Sequence, residues 1–180
     1  MGETITHALF YYDETEDKLK RFDYPENVDV LNIGSATTDK VGNVWVTSRS
    51  GFFKISPARK LSKIELPAGI TSQESVFSLR TAIDQSGTIW IASANSALFS
   101  FNPSTEVFNM YSLKGLTEDD RKPLVPSSIA IDAHDNIWLG ASGAIIFFDQ
   151  HTKEFQLFSK PSEKQTDGGL VYCMNFDSFG

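Results

Sequence analysis

The stretch DQSGTIWI, residues 84–91, decides the fold, because the chain contains two close copies of it. These copies are DKVGNVWV at residues 39–46 and DAHDNIWL at residues 132–139. The tryptophans of successive copies lie 45 and 48 residues apart. A period of this length indicates a chain built from repeats of one supersecondary unit.

Each repeat contains four short segments with the composition of β-strands. The first is a run that ends at the repeat aspartate, the second carries the tryptophan, and the third and fourth follow it. The third segments are aromatic and the fourth are more polar; they span 51–55 and 60–65, 97–101 and 106–111, and 144–148 and 153–158. β-Branched and aromatic residues bounded by turn residues predict antiparallel strands. Gly, Asn and Asp in the connecting turns suit hairpins that need a positive φ.

Four-stranded units of this size cannot bury both faces alone, so each must stack on its neighbours. The sequence therefore predicts an all-β fold, a β-propeller fragment of four-stranded antiparallel blades. Three blades are complete, and the chain begins and ends inside further blades, which predicts a piece of a longer propeller. The predicted boundaries are 1–29 (two strands ending one blade), 30–66, 75–112, 126–160, and 170–180 (the first strand of the next).

Composition limits the possible functions. The chain of 180 residues has 16 Lys and Arg against 23 Asp and Glu, a net charge of −7, without a basic stripe. This balance argues against binding to nucleic acid or to an anionic membrane surface. The single cysteine, Cys173, lies in an apolar run, so we expect it to be a small buried side chain.

The repeated aspartates and tryptophans have a structural interpretation. An aspartate that recurs at the start of a turn is expected to accept hydrogen bonds from the turn, and a recurring tryptophan is expected to fill the space between blades. The pairs are Asp39 and Trp45, Asp84 and Trp90, and Asp132 and Trp138, with Asp177 at the same position near the end. No calcium loop or Cys/His cluster is present, so we predict no metal and no cofactor.

Ligand contacts are expected in the connections that differ between repeats. These are the interblade segments 23–27, 66–74 and 113–127, together with the turn after each tryptophan strand. The candidate ligand-binding residues, on or next to these connections, are Tyr24, Arg49, Arg80, Asn95 and Arg121. No catalytic residue is predicted, because His134 and His151 lie in separate turns without evident partners.

The pattern Asp-x-x-Gly-Asn-[Ile/Val]-Trp followed by an aromatic strand resembles the two-component regulator propeller repeat. It is similar to the periplasmic sensor regions of hybrid two-component histidine kinases of Bacteroidetes. The resemblance implies a ligand-sensing segment that responds to glycan-derived ligands or partners, with the membrane span, histidine kinase and phosphorelay domains outside this chain. It further implies that this segment itself catalyses no reaction.

Two alternatives remain open from the sequence. Streptogramin lyase propellers have a similar repeat, so a propeller enzyme, lyase-like or glycan-active, is the second hypothesis, and a free interaction scaffold is the third. The predicted partners are an oligosaccharide or other small ligand, and further copies of the chain that pair through exposed blade edges. No nucleic-acid partner is predicted, and membrane contact is expected only through the parent protein.

Overall fold

The computed structural model describes residues 9–23, 33–48, 51–67, 79–93, 97–116, 124–159 and 171–176. Within these ranges every element of regular secondary structure is a β-strand, which confirms the all-β prediction. Fourteen strands lie in the described residues: β1 Phe10–Asp13, β2 Lys18–Arg21, β3 Ile33–Thr38, β4 Val44–Ser48, β5 Gly51–Ile55, β6 Leu61–Ile64, β7 Arg80–Ile83, β8 Ile89–Ser93, β9 Ala97–Asn102, β10 Val107–Ser112, β11 Pro126–Ile131, β12 Ile137–Ala141, β13 Ala144–Phe148 and β14 Phe155–Ser159.

The strands form antiparallel sheets in chain order. β1 and β2 make a two-stranded sheet, and three four-stranded sheets follow: β3 to β6, β7 to β10 and β11 to β14. The predicted blade of four antiparallel strands is therefore confirmed. The third strands, β5, β9 and β13, coincide with the predicted aromatic segments to within one residue.

The first strands of consecutive sheets line the propeller axis. β3 contacts β7, and β7 contacts β11, so these strands are neighbours at the inner side of the sheets. Each runs towards the turn that begins with the repeat aspartate. We call that end of the sheets the Asp-turn face, and the end where β3, β7 and β11 begin the opposite face.

The hydrophobic core lies between the blades. Trp45 of the first four-stranded sheet packs with Phe99 and Phe101 of the second, and Trp90 of the second packs with Ile137 and Phe148 of the third. Trp45 and Trp90 are 1% and 2% exposed. This arrangement follows from the sequence pattern, because two apolar sheet faces are buried only when a neighbouring sheet covers each of them.

The two-stranded sheet is packed in the same way. Phe22, which follows β2, is buried against Val46 and Ile55 of the first four-stranded sheet. Leu9 and Tyr11 add partly buried contacts to this cluster. The hairpin of β1 and β2 therefore occupies the place of the third and fourth strands of a blade.

Two expectations fail at the C-terminal side of the described chain. Trp138 is half-buried instead of core, because in the described residues only Phe147, Phe158 and Phe176 stack against its ring. Cys173 is exposed, which makes the prediction of a buried thiol wrong. Residues 171–176 do not form a strand, since no partner strand lies beside them in the described ranges.

The turns repeat as regularly as the strands. The first turn of each blade has one residue with positive φ, at Gly42, Gly87 and Asp135. The turn between the third and fourth strands has another, at Asp17, Arg59, Glu106 and Lys153. Each of these second turns begins with a residue whose side-chain oxygen accepts a hydrogen bond from a backbone N–H group of the turn. These residues are Asp13, Ser56, Asn102 and Asp149. Such bonds stabilise the turn locally.

Gly140 allows a close approach at the axis. A methyl group at this position would clash with the hydroxyl of Ser128 and lie 2.6 Å from the Cβ of Val171. The residues that occupy the position of Gly140 in the second strands of the other two sheets are Thr47 and Ala92. The segment that begins at Val171 therefore needs a glycine in β12.

We expect Gly140→Ala to displace residues 171–176 and to lower the free energy of unfolding by about 1–3 kcal/mol, the usual cost of overpacking. Displacement removes Phe176 from Trp138, so acrylamide should quench the tryptophan fluorescence more strongly. Gly87→Ala is the control, because its methyl group meets nothing within 4 Å and adds only the strain of a φ of 88°. Unchanged quenching in Gly140→Ala would contradict the packing described here.

Candidate functional site

The repeat aspartate joins a turn to a tryptophan. Asp39 Oδ1 accepts the backbone N–H groups of Val41 at 3.1 Å and Asn43 at 2.8 Å. Its Oδ2 accepts the Asn43 amide at 2.7 Å and the Trp45 indole Nε1 at 2.9 Å. One carboxylate thus fixes the hairpin turn and the position of a buried indole.

The other two blades reproduce this unit with small changes. The Nε1 atoms of Trp90 and Trp138 donate to Asp84 and Asp132 at 2.8 Å and 3.0 Å. In the third blade Asn136 supplies both its backbone N–H and its side-chain amide, as Asn43 does in the first. The middle blade has a threonine there, and its aspartate accepts the Ser86 hydroxyl at 2.6 Å instead.

These contacts also set the acidity of the carboxylates. Burial alone would raise the pKa of Asp39, but hydrogen bonds from the side chains of Asn43 and Trp45 and from the turn backbone outweigh it, so the pKa is lowered. The same balance, burial against bonds from Trp138 and Asn136, lowers the pKa of Asp132. Both groups are therefore carboxylates at neutral pH.

Side chains on the Asp-turn face link one blade to the next. Lys40 Nζ donates to the backbone oxygen of Gln85 at 2.6 Å. Gln85 in turn donates its backbone N–H to Asp135 and its amide to the oxygen of Ala133, both at 3.0 Å. Gln150 donates to the backbone oxygen of Asp135 and reaches Asp84 at 3.4 Å. The polar groups of this face are thus engaged in holding the blades together.

Hydroxyl groups make the corresponding links near the opposite face. Ser35 Oγ and Thr81 Oγ1 are 2.9 Å apart across the gap between β3 and β7. Thr47 donates to the backbone oxygen of Leu79 at 3.2 Å. In the third blade, Ser127 and Ser128 donate to the oxygen of Val171 at 3.0 Å and 2.8 Å. Sequence reasoning missed this cluster, although polar residues at the start of apolar inner strands were the available signal.

Arg80 is the one predicted ligand-binding residue that falls within the described residues. It is half-buried at the first position of β7, on the opposite face. Its Nη1 donates to the oxygens of Gly34 at 3.1 Å and Leu79 at 3.4 Å. A Cβ at position 34 would lie 3.0 Å from the same Leu79 oxygen, so Gly34 permits the close approach of the two backbones at this point. Tyr24, Arg49, Asn95 and Arg121 lie outside the described residues.

The described residues show no metal centre. No group of three or more His, Cys, Asp or Glu side chains within them could hold a metal ion. His134 and His151 are exposed in turns on the Asp-turn face, away from Arg80. Within the same residues, no helix is long and apolar enough to span a membrane.

Solved structures share this architecture. The sequence itself matches no protein-family profile and no curated protein. The fold is similar to the extracellular domain of BT4673 from B. thetaiotaomicron, named as a hybrid two-component system: the TM-score is 0.72 at 20% identity, covering 95% of this chain and 22% of that one. A second such extracellular domain, BT3049 of the same organism, gives a TM-score of 0.59 at 16% identity, covering 84% of this chain and 23% of that one.

An enzyme has a similar fold as well. Virginiamycin B lyase from Staphylococcus aureus gives a TM-score of 0.63 at 16% identity, covering 82% of this chain and 47% of that one. At these identities the likeness shows the β-propeller fold alone. The chain spans about a fifth of the BT4673 domain and about half of the lyase.

The hydrogen bonds from each repeat aspartate to its turn and its tryptophan, which we call the Asp-to-Trp unit, predict how the stability of the fold depends on pH. An aspartate whose folded pKa is lowered stabilises the fold above its unfolded pKa of about 3.9, and this contribution is lost as the pH falls through the lower folded pKa. Asp39→Asn should lower the free energy of unfolding at pH 7 by about 1–3 kcal/mol, because its amide turns a donor towards the turn N–H groups or the indole. Below about pH 4 the difference from the wild type should shrink.

Denaturant unfolding between about pH 2 and pH 7 measures this effect. Glu65→Gln removes an exposed carboxylate outside the unit and is the matched control. It should follow the wild type at every pH. A constant difference between Asp39→Asn and the wild type over the whole range would show that the lowered pKa contributes nothing.

Proposed function

We propose that this chain is an extracytoplasmic, ligand-sensing propeller segment of a hybrid two-component sensor histidine kinase. The observation that carries the proposal is the similarity over 95% of the chain to the extracellular domain of such a system, at a TM-score of 0.72. The repeat motif supports it independently. The location would be periplasmic, and the histidine kinase and its phosphorelay would lie outside this chain.

The proposed mechanism involves no reaction and no cofactor in this segment. A glycan-derived ligand or a partner would bind at the opposite face and favour one arrangement of the blades over another. A ligand shifts such an equilibrium only by its difference in affinity for the two states. Membrane contact would come through the parent protein, which would pass the shift to the kinase.

Arg80 is the described residue best suited to contact a ligand at this face. A guanidinium forms planar, charge-assisted hydrogen bonds, and the Nη1 of Arg80 donates to two backbone oxygens here, bonds that a ligand could exchange for its own. Sugar hydroxyls and carboxylates accept such bonds well. Because Arg80 also bonds to Gly34 of the preceding sheet, a ligand that draws it away would act directly on the junction between two blades.

We expect Arg80→Gln to weaken ligand binding by roughly tenfold, since a hydrogen bond to a charged group contributes about 1.5–3 kcal/mol. Sequencing the reading frame on both sides of this segment comes first, followed by calorimetric titration of the complete encoded ectodomain with neutral and acidic oligosaccharides. Arg21→Gln is the matched control, because Arg21 is exposed on β2, away from the axis.

Two results would contradict parts of this proposal. A reading frame without a membrane span and kinase motifs would remove the sensor function. Equal affinity of Arg80→Gln and the wild type for a bound oligosaccharide would remove Arg80 from the site while leaving the sensor function intact.

A propeller lyase is the second candidate, supported by the TM-score of 0.63 to virginiamycin B lyase. A related S. aureus lyase structure contains quinupristin, which makes this compound the natural probe. We expect the chain to leave quinupristin intact after prolonged incubation with divalent cations, as measured by mass spectrometry. A linearised product would make the lyase the leading function.

A further inference from the structure

The middle four-stranded sheet has an outer edge, β10, with which no further strand pairs in the described part of the chain. Additional blades of a longer propeller would not cover this edge, because blades pack on the faces of their neighbours. Both faces of the middle sheet are already covered, one by the first four-stranded sheet and the other by the third. The exposure of β10 is therefore a property of this blade and does not depend on where the sequence begins or ends.

β10 lacks the features that protect the other outer strands. An edge strand presents unpaired backbone N–H and C=O groups, and charged residues, short strands and bulges are the usual protection against further pairing. Three of the four residues of β2 are charged, β6 has four residues that include the exposed Lys63, and β14 is joined to its sheet through a bulge. β10 has six residues, none of them charged, and keeps a regular register with β9 along its whole length.

The side chains of β10 add an apolar surface between two opposite charges. Val107 and Met110 are 51% and 61% exposed. Glu106 precedes the strand and Lys114 follows it, and both are exposed. If two β10 strands pair in antiparallel orientation, the acidic start of each lies beside the basic end of the other, whereas parallel pairing brings like charges together. The edge is thus complementary to a second copy of itself.

The backbone restricts the register of such a pair. Only alternate residues of an edge strand direct their N–H and C=O groups outward. Two identical antiparallel strands can therefore pair only when the two-fold axis passes between two copies of the same residue. With Met110 as this residue, Met110 lies opposite its own copy, Asn109 lies opposite Tyr111, and Glu106 lies opposite Lys114 at both ends.

We propose that two copies of this chain pair through their β10 strands in antiparallel orientation about a two-fold axis near Met110. The pairing joins the middle sheets of the two copies into one continuous sheet. Each copy contributes the same surface, so the interface is isologous and closes at a dimer. The proposal specifies which edge takes part in the pairing through blade edges that the sequence predicts.

The mass of the 180-residue chain in solution is the first test. Size-exclusion chromatography with light scattering should show a mass that rises with concentration from 20.0 kDa and levels at twice that value. The rise should depend on concentration, because a single pair of strands buries little surface. It should stop at the dimer, because the two β10 edges cover each other.

Reversing one end charge should weaken the dimer. Glu106→Lys and Lys114→Glu each bring like charges together at both ends of the strand pair, so each should weaken association by roughly tenfold. The loss should shrink at high salt, which screens exposed charges. The turn tolerates a lysine at position 106, since Arg59 and Lys153 occupy the corresponding position with a positive φ in the first and third sheets.

Combining the two changes tests the geometry. The double variant Glu106→Lys/Lys114→Glu should recover the wild-type affinity, because it exchanges the charges at both ends. An equal mixture of the two single variants should also form dimers, since each end then joins a lysine to a glutamate. Glu65→Lys is the matched control: Glu65 is exposed beyond the end of β6, and the net charge changes by the same amount. It should associate like the wild type, and circular dichroism should show every variant folded.

Three results would overturn the proposal. The first is a wild-type chain that stays at 20.0 kDa at its highest soluble concentration. The second is a mass that passes twice this value, or a mixture of the single variants that stays monomeric, because either one requires a surface or an orientation other than antiparallel β10 pairing. The third is a loss of association in Glu65→Lys as large as that in Glu106→Lys, which would show a general effect of net charge.

Discussion

The bond between the repeat aspartate and the tryptophan indole is the interaction on which the rest of the structure depends. One carboxylate oxygen accepts the backbone N–H groups of the turn, and the other accepts the indole N–H six residues later, as Asp39 does for Trp45. A buried indole N–H without a partner is costly. The aspartate removes that cost and, by the same contact, fixes the depth at which the tryptophan enters the junction between blades. Turn geometry and interblade packing are therefore coupled through one side chain.

This coupling explains why so much of the fold could be predicted. The six-residue spacing from aspartate to tryptophan, the turn residue with positive φ and the aromatic third strand are all local features. The burial of the last repeat tryptophan, Trp138, could not be predicted from such local features. Trp138 lies in the same repeat motif as Trp45 but is half-buried, because burial depends on the sheet that covers it. The error at Cys173 has the same cause: an apolar run predicts burial only where a neighbouring sheet is present.

The candidate site was predictable only as a location. Connections that vary between repeats point to the opposite face, and Arg80 lies there at the start of an inner strand. Its contact with Gly34 could not be predicted, because it joins residues 46 positions apart and depends on how closely two blades approach. The same holds for the links from Lys40 to Gln85 and from Gln85 to Asp135 on the Asp-turn face. Their positions within the repeat are visible in the sequence, but their partners in the next blade are not.

The two faces differ in what a ligand could change. On the Asp-turn face, the turns depend on the carboxylates that also hold the buried tryptophans, so a ligand would have to compete with the core itself. Near the opposite face, β3 and β7 meet through hydroxyl groups and backbone oxygens, as Ser35 does with Thr81. Sugar hydroxyls can replace bonds of that kind at little net cost, since each exchange substitutes one hydrogen bond for another. A propeller that senses a ligand by shifting one blade against the next would therefore place the binding site at this polar junction, where Arg80 already spans the gap.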